Sequence, residues 1–180
     1  MLNYLLSMQN KLLLVGLLVS LFLSMNLEAQ VVGSNHTTYT EADTLRGSLR
    51  PERSNYDVTK YHLDLKVNPD ARSIAGSNTI QFKVLGSLPV MQLDLFENMQ
   101  IDSIVHQNTK LEFTRKYNAV FVNFEEALNE GTSDSIKFYY HGNPIVAKNA
   151  PWDGGFVWDT DEDGNPWVGV AVQGTGASLW

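Results

Sequence analysis

The acidic stretch VWDTDEDGNPWVG, residues 157–169, carries the side chains that by type and spacing are best suited to binding a metal ion. Its Asp-x-Asp-x-Asp-Gly run at 159–164 matches positions 1, 3, 5 and 6 of a calcium-binding loop, where oxygens ligate the ion and glycine allows a sharp turn. Position 12 of such a loop supplies a bidentate glutamate, whereas Val170 occupies it here. We therefore expect a solvated turn, with a weak calcium site as the alternative.

The residues on both sides of this turn predict the element that positions it. Residues 154–158 and 167–172 are rich in valine, tryptophan, phenylalanine and glycine. Two β-prone runs around a cluster of Asp, Gly, Asn and Pro are typical of a β-hairpin.

Other catalytic motifs are absent from the sequence. The four histidines are His36, His62, His106 and His141. No two of them are four residues apart, so the His-Glu-x-x-His helix of zinc proteases is missing. The chain has no cysteine, no Gly-x-Ser-x-Gly elbow and no phosphate-binding glycine loop. The adjacent Glu125 and Glu126 are expected on a solvated face, because catalytic carboxylates must converge on one bond. We predict no catalytic residue and no metal ligand set in this chain.

Alternating apolar and polar residues predict strands along most of the chain. Residues 61–67, YHLDLKV, alternate strictly, and this period of two marks a strand with one buried face. Similar short runs follow at 80–84, 91–95, 101–105, 119–124 and 136–140. Only residues 125–129 suggest a brief helical turn. The pattern predicts an all-β fold, an antiparallel saddle or sandwich.

Composition limits the classes of function. A chain of 180 residues with 43% hydrophobic residues can form one domain with a core. The net charge of −7 and the lack of a basic patch argue against nucleic-acid binding.

The N-terminus predicts export. Lys11 precedes an apolar run at 12–23 that is too short to span a membrane but suits a signal peptide, residues 1–29, cleaved after Ala29. An uncleaved N-terminal anchor is the alternative. We expect a periplasmic, extracellular or outer-surface protein, in which residues 30–47 form a linker or extended arm. The β domain then covers 48–180, and we expect it to be truncated at its C-terminal end.

Two motifs resemble a known family. Residues 56–67, YDVTKYHLDLKV, resemble the opening strand of the N-terminal domain of M1-family zinc aminopeptidases, which are aminopeptidase N-like enzymes. Residues 150–156, APWDGGF, together with the hairpin and residues 173–177, QGTGA, resemble secreted bacterial members. The resemblance covers roughly residues 48–180.

The resemblance implies that this chain is the N-terminal part of an exported metallopeptidase that removes N-terminal residues from peptides. In that family the β domain packs against a catalytic domain of the same polypeptide. The catalytic domain holds the zinc cofactor on a His-Glu-x-x-His helix and a later glutamate, after a Gly-x-Met-x-Asn motif. All of these would lie downstream of Trp180, so the 180-residue chain alone is expected to be inactive.

The resemblance also implies one substrate-binding segment. Gln173 matches the position whose side chain contacts the substrate's α-ammonium group, and its carbonyl oxygen can accept from an ammonium. Gly174 and Gly176 would allow close approach of backbone and ligand. Ala171 departs from the family pattern, and the alternative is that Gln173 only ends a strand.

The alternative hypothesis is that the chain is a self-contained secreted β-domain that binds a ligand or partner without catalysis. Trp152, Trp158 and Trp167 cluster in sequence, and exposed aromatic rings can stack on sugars. Packing in a core or hairpin pair is the commoner role of such residues.

Overall fold

The computed structural model describes residues 38–173 and 176–180. Within this part of the chain, Tyr39–Trp180 belongs to one compact unit. The predicted signal peptide and residues 30–37 of the predicted arm lie outside the described residues. Among the residues described, no helix is long and apolar enough to cross a membrane.

In the described part of the chain, two short helices precede ten strands. The helices are α1 (Glu41–Gly47) and α2 (Pro51–Ser54). The strands are β1 (Tyr56–Asn68), β2 (Ser73–Val84), β3 (Leu88–Asp94), β4 (Met99–His106), β5 (Thr109–Lys110), β6 (Phe113–Lys116), β7 (Ala119–Leu128), β8 (Ser133–Gly142), β9 (Gly155–Thr160) and β10 (Pro166–Ala171). A 3₁₀ helix, Ala177–Leu179, lies near the end of the chain.

The strands form two sheets and a separate hairpin. One sheet has five strands in the order β1-β2-β8-β4-β5, the other has three in the order β3-β7-β6, and β9 pairs with β10. Every strand pair is antiparallel. Buried apolar side chains from both sheets form one core, among them Ile74, Ile80, Phe82, Met91, Ile104, Val120, Val122 and Ile136. The predicted all-β antiparallel fold and the predicted hairpin are confirmed.

Residues 41–47, within the predicted linker or extended arm of 30–47, are helical. A capping box starts α1: the Thr40 hydroxyl accepts from the Asp43 backbone N–H at 3.2 Å, and the Asp43 carboxylate accepts from the Thr40 N–H at 2.9 Å. Leu45 is the only buried side chain of this helix. A single buried residue produces no apolar stripe, so the helical period was absent from the hydrophobic pattern.

Residues 125–128 continue strand β7, which corrects the predicted helical turn. Leu128 pairs with Leu88 of β3, and Asn123 pairs with Val90. The register shifts between these two pairs, so the strands remain paired at this end although β7 has extra residues there. The side chains of Glu125 and Glu126 are exposed.

Strand β1 lies at the edge of the five-stranded sheet, and its apolar side is largely uncovered. Tyr61 is 59% exposed, Leu63 46% and Val67 43%, although the alternating pattern predicted a buried face. These residues pair with β2 positions that include Ile80 and Ile74, so they share the side of the sheet that forms the core. A three-stranded sheet packed on a five-stranded one leaves this edge open.

Candidate functional site

The predicted substrate-binding segment directly follows strand β10. Ala171, the last residue of β10, is buried and pairs with Gly155 of β9. Gln173 lies in a turn two residues later and is exposed. Its side-chain carbonyl is therefore accessible to a ligand from solvent.

The predicted segment contains two glycines, Gly174 and Gly176. Gly176 donates its N–H to the Val172 carbonyl at 3.0 Å and has a φ of 71°, in the left-handed region. Apart from its chain neighbours, no atom of the described residues lies within 4 Å of where its Cβ would be. Gly174 lies outside the described residues.

The residues after this segment anchor it to the core. Leu179 is buried, and the Ser178 carbonyl accepts from the Phe96 N–H at 2.8 Å. The Trp180 ring meets Phe156 edge to face, with centroids 5.7 Å apart. Since Phe156 lies in the hairpin strand β9, Trp180 packs against the hairpin.

The entry to the hairpin is a close backbone contact that requires glycine. The Phe156 N–H donates to the Ile145 carbonyl at 2.7 Å, and its carbonyl accepts from the Ala147 N–H at 3.0 Å. Gly155, which precedes Phe156, has a φ of 152°, and a Cβ there would lie 2.5 Å from the Ala147 nitrogen. The Gly-Phe pair of the APWDGGF motif thus fixes the path of the chain into the hairpin.

A groove of about 440 Å³ opens between the uncovered side of β1, the edge of β3 and the end of the chain. Its walls are mainly apolar and include Tyr61, Leu63, Ile80 and Trp180. Arg53 and Asp94, whose nitrogen and oxygen lie 2.7 Å apart, form its polar end.

Two polar atoms of groove residues have no hydrogen-bond partner. The Asn78 Oδ1 and the Trp180 Nε1 are both buried and unpaired within the described part of the chain. An unpaired buried donor or acceptor costs about 1–3 kcal/mol. Asn78 and Trp180, which both line the groove, therefore each carry one buried polar atom that is unsatisfied within the described residues.

Three tyrosines line the groove, namely Tyr56, Tyr61 and Tyr140. Burial raises the pKa of Tyr56 and of Tyr140 to about 12, and it also raises the pKa of Tyr61. All three hydroxyls are therefore neutral at physiological pH.

In the acidic turn of the hairpin, the Asp161 carboxylate accepts hydrogen bonds from other residues of the same turn. The Asp161 Oδ1 accepts from the Asp163 N–H at 3.0 Å and from the Asn165 N–H at 2.7 Å. Hydrogen bonds, first from the Asn165 side chain, lower the pKa of Asp161. In the described residues no three His, Cys, Asp or Glu side chains come together as a metal site.

The described histidines tie strands together or face solvent. His106 Nε2 lies 2.9 Å from Asp134 Oδ2, and His141 Nδ1 lies 2.8 Å from Asp102 Oδ1. Both pairs join β4 to β8, one towards each end of these strands. His62 is exposed on β1, and His36 lies outside the described residues. Partners on adjacent strands are far apart in sequence, so spacing motifs could not reveal these pairs.

Solved structures similar to this chain are large hydrolases. Leukotriene A4 hydrolase from Saccharomyces cerevisiae matches with a TM-score of 0.53 and 18% identity, over 69% of this chain and 20% of the hydrolase. The yeast enzyme in complex with bestatin gives a TM-score of 0.54 and 16% identity, over 74% and 22%. A mutant M1 zinc metallopeptidase from Deinococcus radiodurans bound to the substrate Tyr-Ser-Ala gives 0.49 and 19%, over 62% and 28%.

The sequence itself matches no family model and no curated protein. This chain spans less than a third of the length of each of these solved structures. At such low identity the similarity establishes the fold alone. The chain has the antiparallel β architecture of the N-terminal β domain of M1 peptidases.

Proposed function

We propose that this chain is the N-terminal β domain of an exported, aminopeptidase N-like zinc aminopeptidase of the secreted bacterial type. In the whole protein the domain would present Gln173 to the substrate and provide a face on which the catalytic domain packs. The observation that carries the proposal is the combination of the M1-type fold with an apolar face that the described residues leave open.

The open face supports a partner domain of the same polypeptide. Exposed, contiguous apolar side chains usually mark a surface that another protein surface covers. Tyr61 and Leu63, at 59% and 46% exposed, form such a surface together with the groove. The peptidase fold makes the catalytic domain the proposed occupant.

Gln173 supports the proposed contact with the peptide's α-ammonium. Its exposed amide can accept a hydrogen bond through the carbonyl oxygen, and the space around Gly176 lets a ligand approach the backbone. Because Ala171 is buried and apolar, it adds no carboxylate to this contact. The neutral amide then supplies hydrogen bonding but no opposite charge.

Zinc chemistry belongs to the catalytic domain in this proposal. A bound zinc ion would activate water and polarise the scissile carbonyl of a peptide, releasing the N-terminal residue. The part of this chain that the structure describes contributes binding and positioning only. Export, through the predicted signal peptide, would place the reaction in the periplasm, on the outer surface or outside the cell.

An activity assay with a matched pair of variants tests the proposal. We expect the purified 180-residue chain to release no arylamine from aminoacyl-arylamides with or without added zinc. In the full-length enzyme, Gln173→Ala should raise KM at least about tenfold with a smaller change in kcat, because a ground-state contact is lost. Gln81→Ala, which alters an exposed glutamine on β2, is the control.

Two results would count against the assignment. Zinc-dependent hydrolysis by the isolated chain would mean that a complete active site lies within it. An unchanged KM in the Gln173→Ala enzyme would remove the amine-binding role.

The second candidate is a self-contained binding domain without catalysis. The observation in its favour is the exposure of Trp152 and Trp167, at 74% and 63%. A sharp, cooperative melt together with little binding of an apolar dye would favour it, because an independent domain has no face reserved for a partner.

A further inference from the structure

We propose that a cleft between the β9–β10 hairpin and the β1–β2 turn binds a neutral sugar ring stacked on Trp167. The cleft has a volume of about 320 Å³. Asp70 and Arg72 of the turn form one side, and Asp159 and Trp167 of the hairpin form the other. The inference concerns a site separate from Gln173 and does not depend on the proposed peptidase role.

Trp167 and Asp159 form the binding pair on the hairpin. They are directly opposite each other in the β9–β10 register, so both side chains point to the same face of the hairpin. The Trp167 side chain is 63% exposed, which leaves an indole face free for the C–H face of a pyranose. Asp159 Oδ1 accepts from the Thr160 N–H at 2.8 Å, and Oδ2 is available to a sugar hydroxyl.

Asp70 and Arg72 supply hydrogen bonds from the opposite side. Neither side chain has a hydrogen-bond or ion-pair partner among the residues that the structure describes. A carboxylate accepts from sugar hydroxyls and a guanidinium donates to them, so the pair matches groups that do both. The three charged side chains of the cleft also favour a ligand rich in hydroxyl groups, because a hydroxyl can donate to a carboxylate and accept from a guanidinium.

Both sides of the cleft are held in place by side chain to backbone hydrogen bonds. Asn143 donates to the carbonyls of Ala71 and Arg72 at 2.9 and 3.0 Å, which fixes the β1–β2 turn. Asp161 accepts from two backbone N–H groups at the hairpin tip. A site fixed before binding loses less entropy when the ligand arrives.

The same residues disfavour charged ligands. Two carboxylates in the cleft and a net charge of −7 on the chain repel polyanions. A quaternary ammonium needs a cage of several free ring faces. The Trp158 ring is stacked on Phe156 at a centroid distance of 5.2 Å, and Arg72 adds a positive charge. A neutral pyranose with equatorial hydroxyls, such as a β-linked glucose unit, suits a cleft that has one free ring face and charged side chains of both signs.

Calorimetric titration of the full chain with cellotetraose tests the site. We expect a Kd of about 1 mM, and Trp167→Ala should weaken binding at least about tenfold. Trp152→Ala is the matched control, because Trp152 is also exposed but does not line the cleft, and it should bind as the unaltered chain does. Asp159→Asn should weaken binding without changing the melting temperature.

A conservative variant keeps the test decisive if Trp167→Ala disturbs folding. Trp167→Phe retains a ring for stacking and should keep part of the affinity. No heat from the unaltered chain at about 10 mM cellotetraose would overturn the proposal. Equal loss in the Trp152→Ala chain, or binding of choline in place of cellotetraose, would also overturn it.

Discussion

Gln92 ties the N-terminal helices to the three-stranded sheet. Its side chain is 1% exposed, and its amide donates to the Leu45 carbonyl at 2.9 Å and to Asp94 at 3.1 Å. Arg50 donates to its carbonyl oxygen at 3.0 Å. Every polar atom of this buried side chain is therefore paired, and α1 is held over the outer side of β3.

Replacing Gln92 by alanine should destabilise the chain by about 1–3 kcal/mol, because the Leu45 carbonyl and Arg50 lose a partner in a buried place. Chemical denaturation followed by tryptophan fluorescence measures the change in the free energy of unfolding. Gln81→Ala, an exposed glutamine on a neighbouring element, should change it by less than about 0.5 kcal/mol. Equal effects of the two substitutions would contradict the role assigned to Gln92.

Asp161 should make the hairpin sensitive to acid. Its pKa lies below the ordinary value of 3.8 because the folded turn donates hydrogen bonds to the carboxylate, first from the Asn165 side chain. The stabilisation is therefore complete above pH 3.8 and is lost as the pH falls through the folded pKa. An NMR titration of the Asp161 carboxyl carbon measures this value, and a pKa at or above 3.8 would refute the geometry.

At the scale of elements, the hairpin depends on one glycine at its entry. Gly155→Ala should destabilise the chain by more than about 1 kcal/mol, since the new Cβ would clash with backbone and the positive φ is strained for alanine. Gly169→Ala in the partner strand is the control, because its Cβ would lie 3.8 Å from the Val157 Cβ, an ordinary contact. Thermal unfolding of both variants decides the point, and similar melting temperatures would argue against it.

Calcium should leave the hairpin unchanged. The Asp161 Oδ1 already accepts from two backbone N–H groups, Oδ2 accepts from the Asn165 side chain, and position 12 of the loop is apolar. Adding calcium at about 5 mM should therefore not shift the melting temperature, because an ion that does not bind the folded state cannot stabilise it. A rise with calcium that magnesium does not reproduce would revive the calcium-site alternative.

The strands were predictable because their hydrophobic period of two is local information. Residues 61–67 and the hairpin flanks lie in strands, and Gly164 sits in the turn between β9 and β10. Helix α1 was missed because its one buried side chain gives no periodic signal, and the capping box was its main mark in the sequence. Residues 125–128 were misassigned because pairing with β3 outweighs their local preference.

At the scale of the whole molecule, burial depends on what covers an element. The alternating pattern of β1 correctly predicted which side of the strand is apolar, but it did not predict that this side is exposed. The three-stranded sheet does not cover that side, and local sequence carries no information about what covers a strand. The accessibility of Gln173 and the unpaired groove atoms likewise follow from the tertiary arrangement. The amine-binding role of Gln173 stays a prediction from the resemblance.

The open face predicts binding of an apolar dye. Leu63→Ser should lower the fluorescence of a dye such as anilinonaphthalene sulfonate, because Leu63 belongs to the continuous apolar wall of the groove. Leu49→Ser is the control: Leu49 is 83% exposed and does not line the groove. Equal fluorescence in all three proteins would mean that the face is not an open docking surface.

The most direct test of the central claim is to read the coding sequence beyond the codon for Trp180. The claim that this chain is the β domain of a zinc aminopeptidase predicts a continuous frame that encodes Gly-x-Met-x-Asn and then His-Glu-x-x-His with a later glutamate. A frame that encodes neither motif would contradict the claim and leave a β domain whose function is binding.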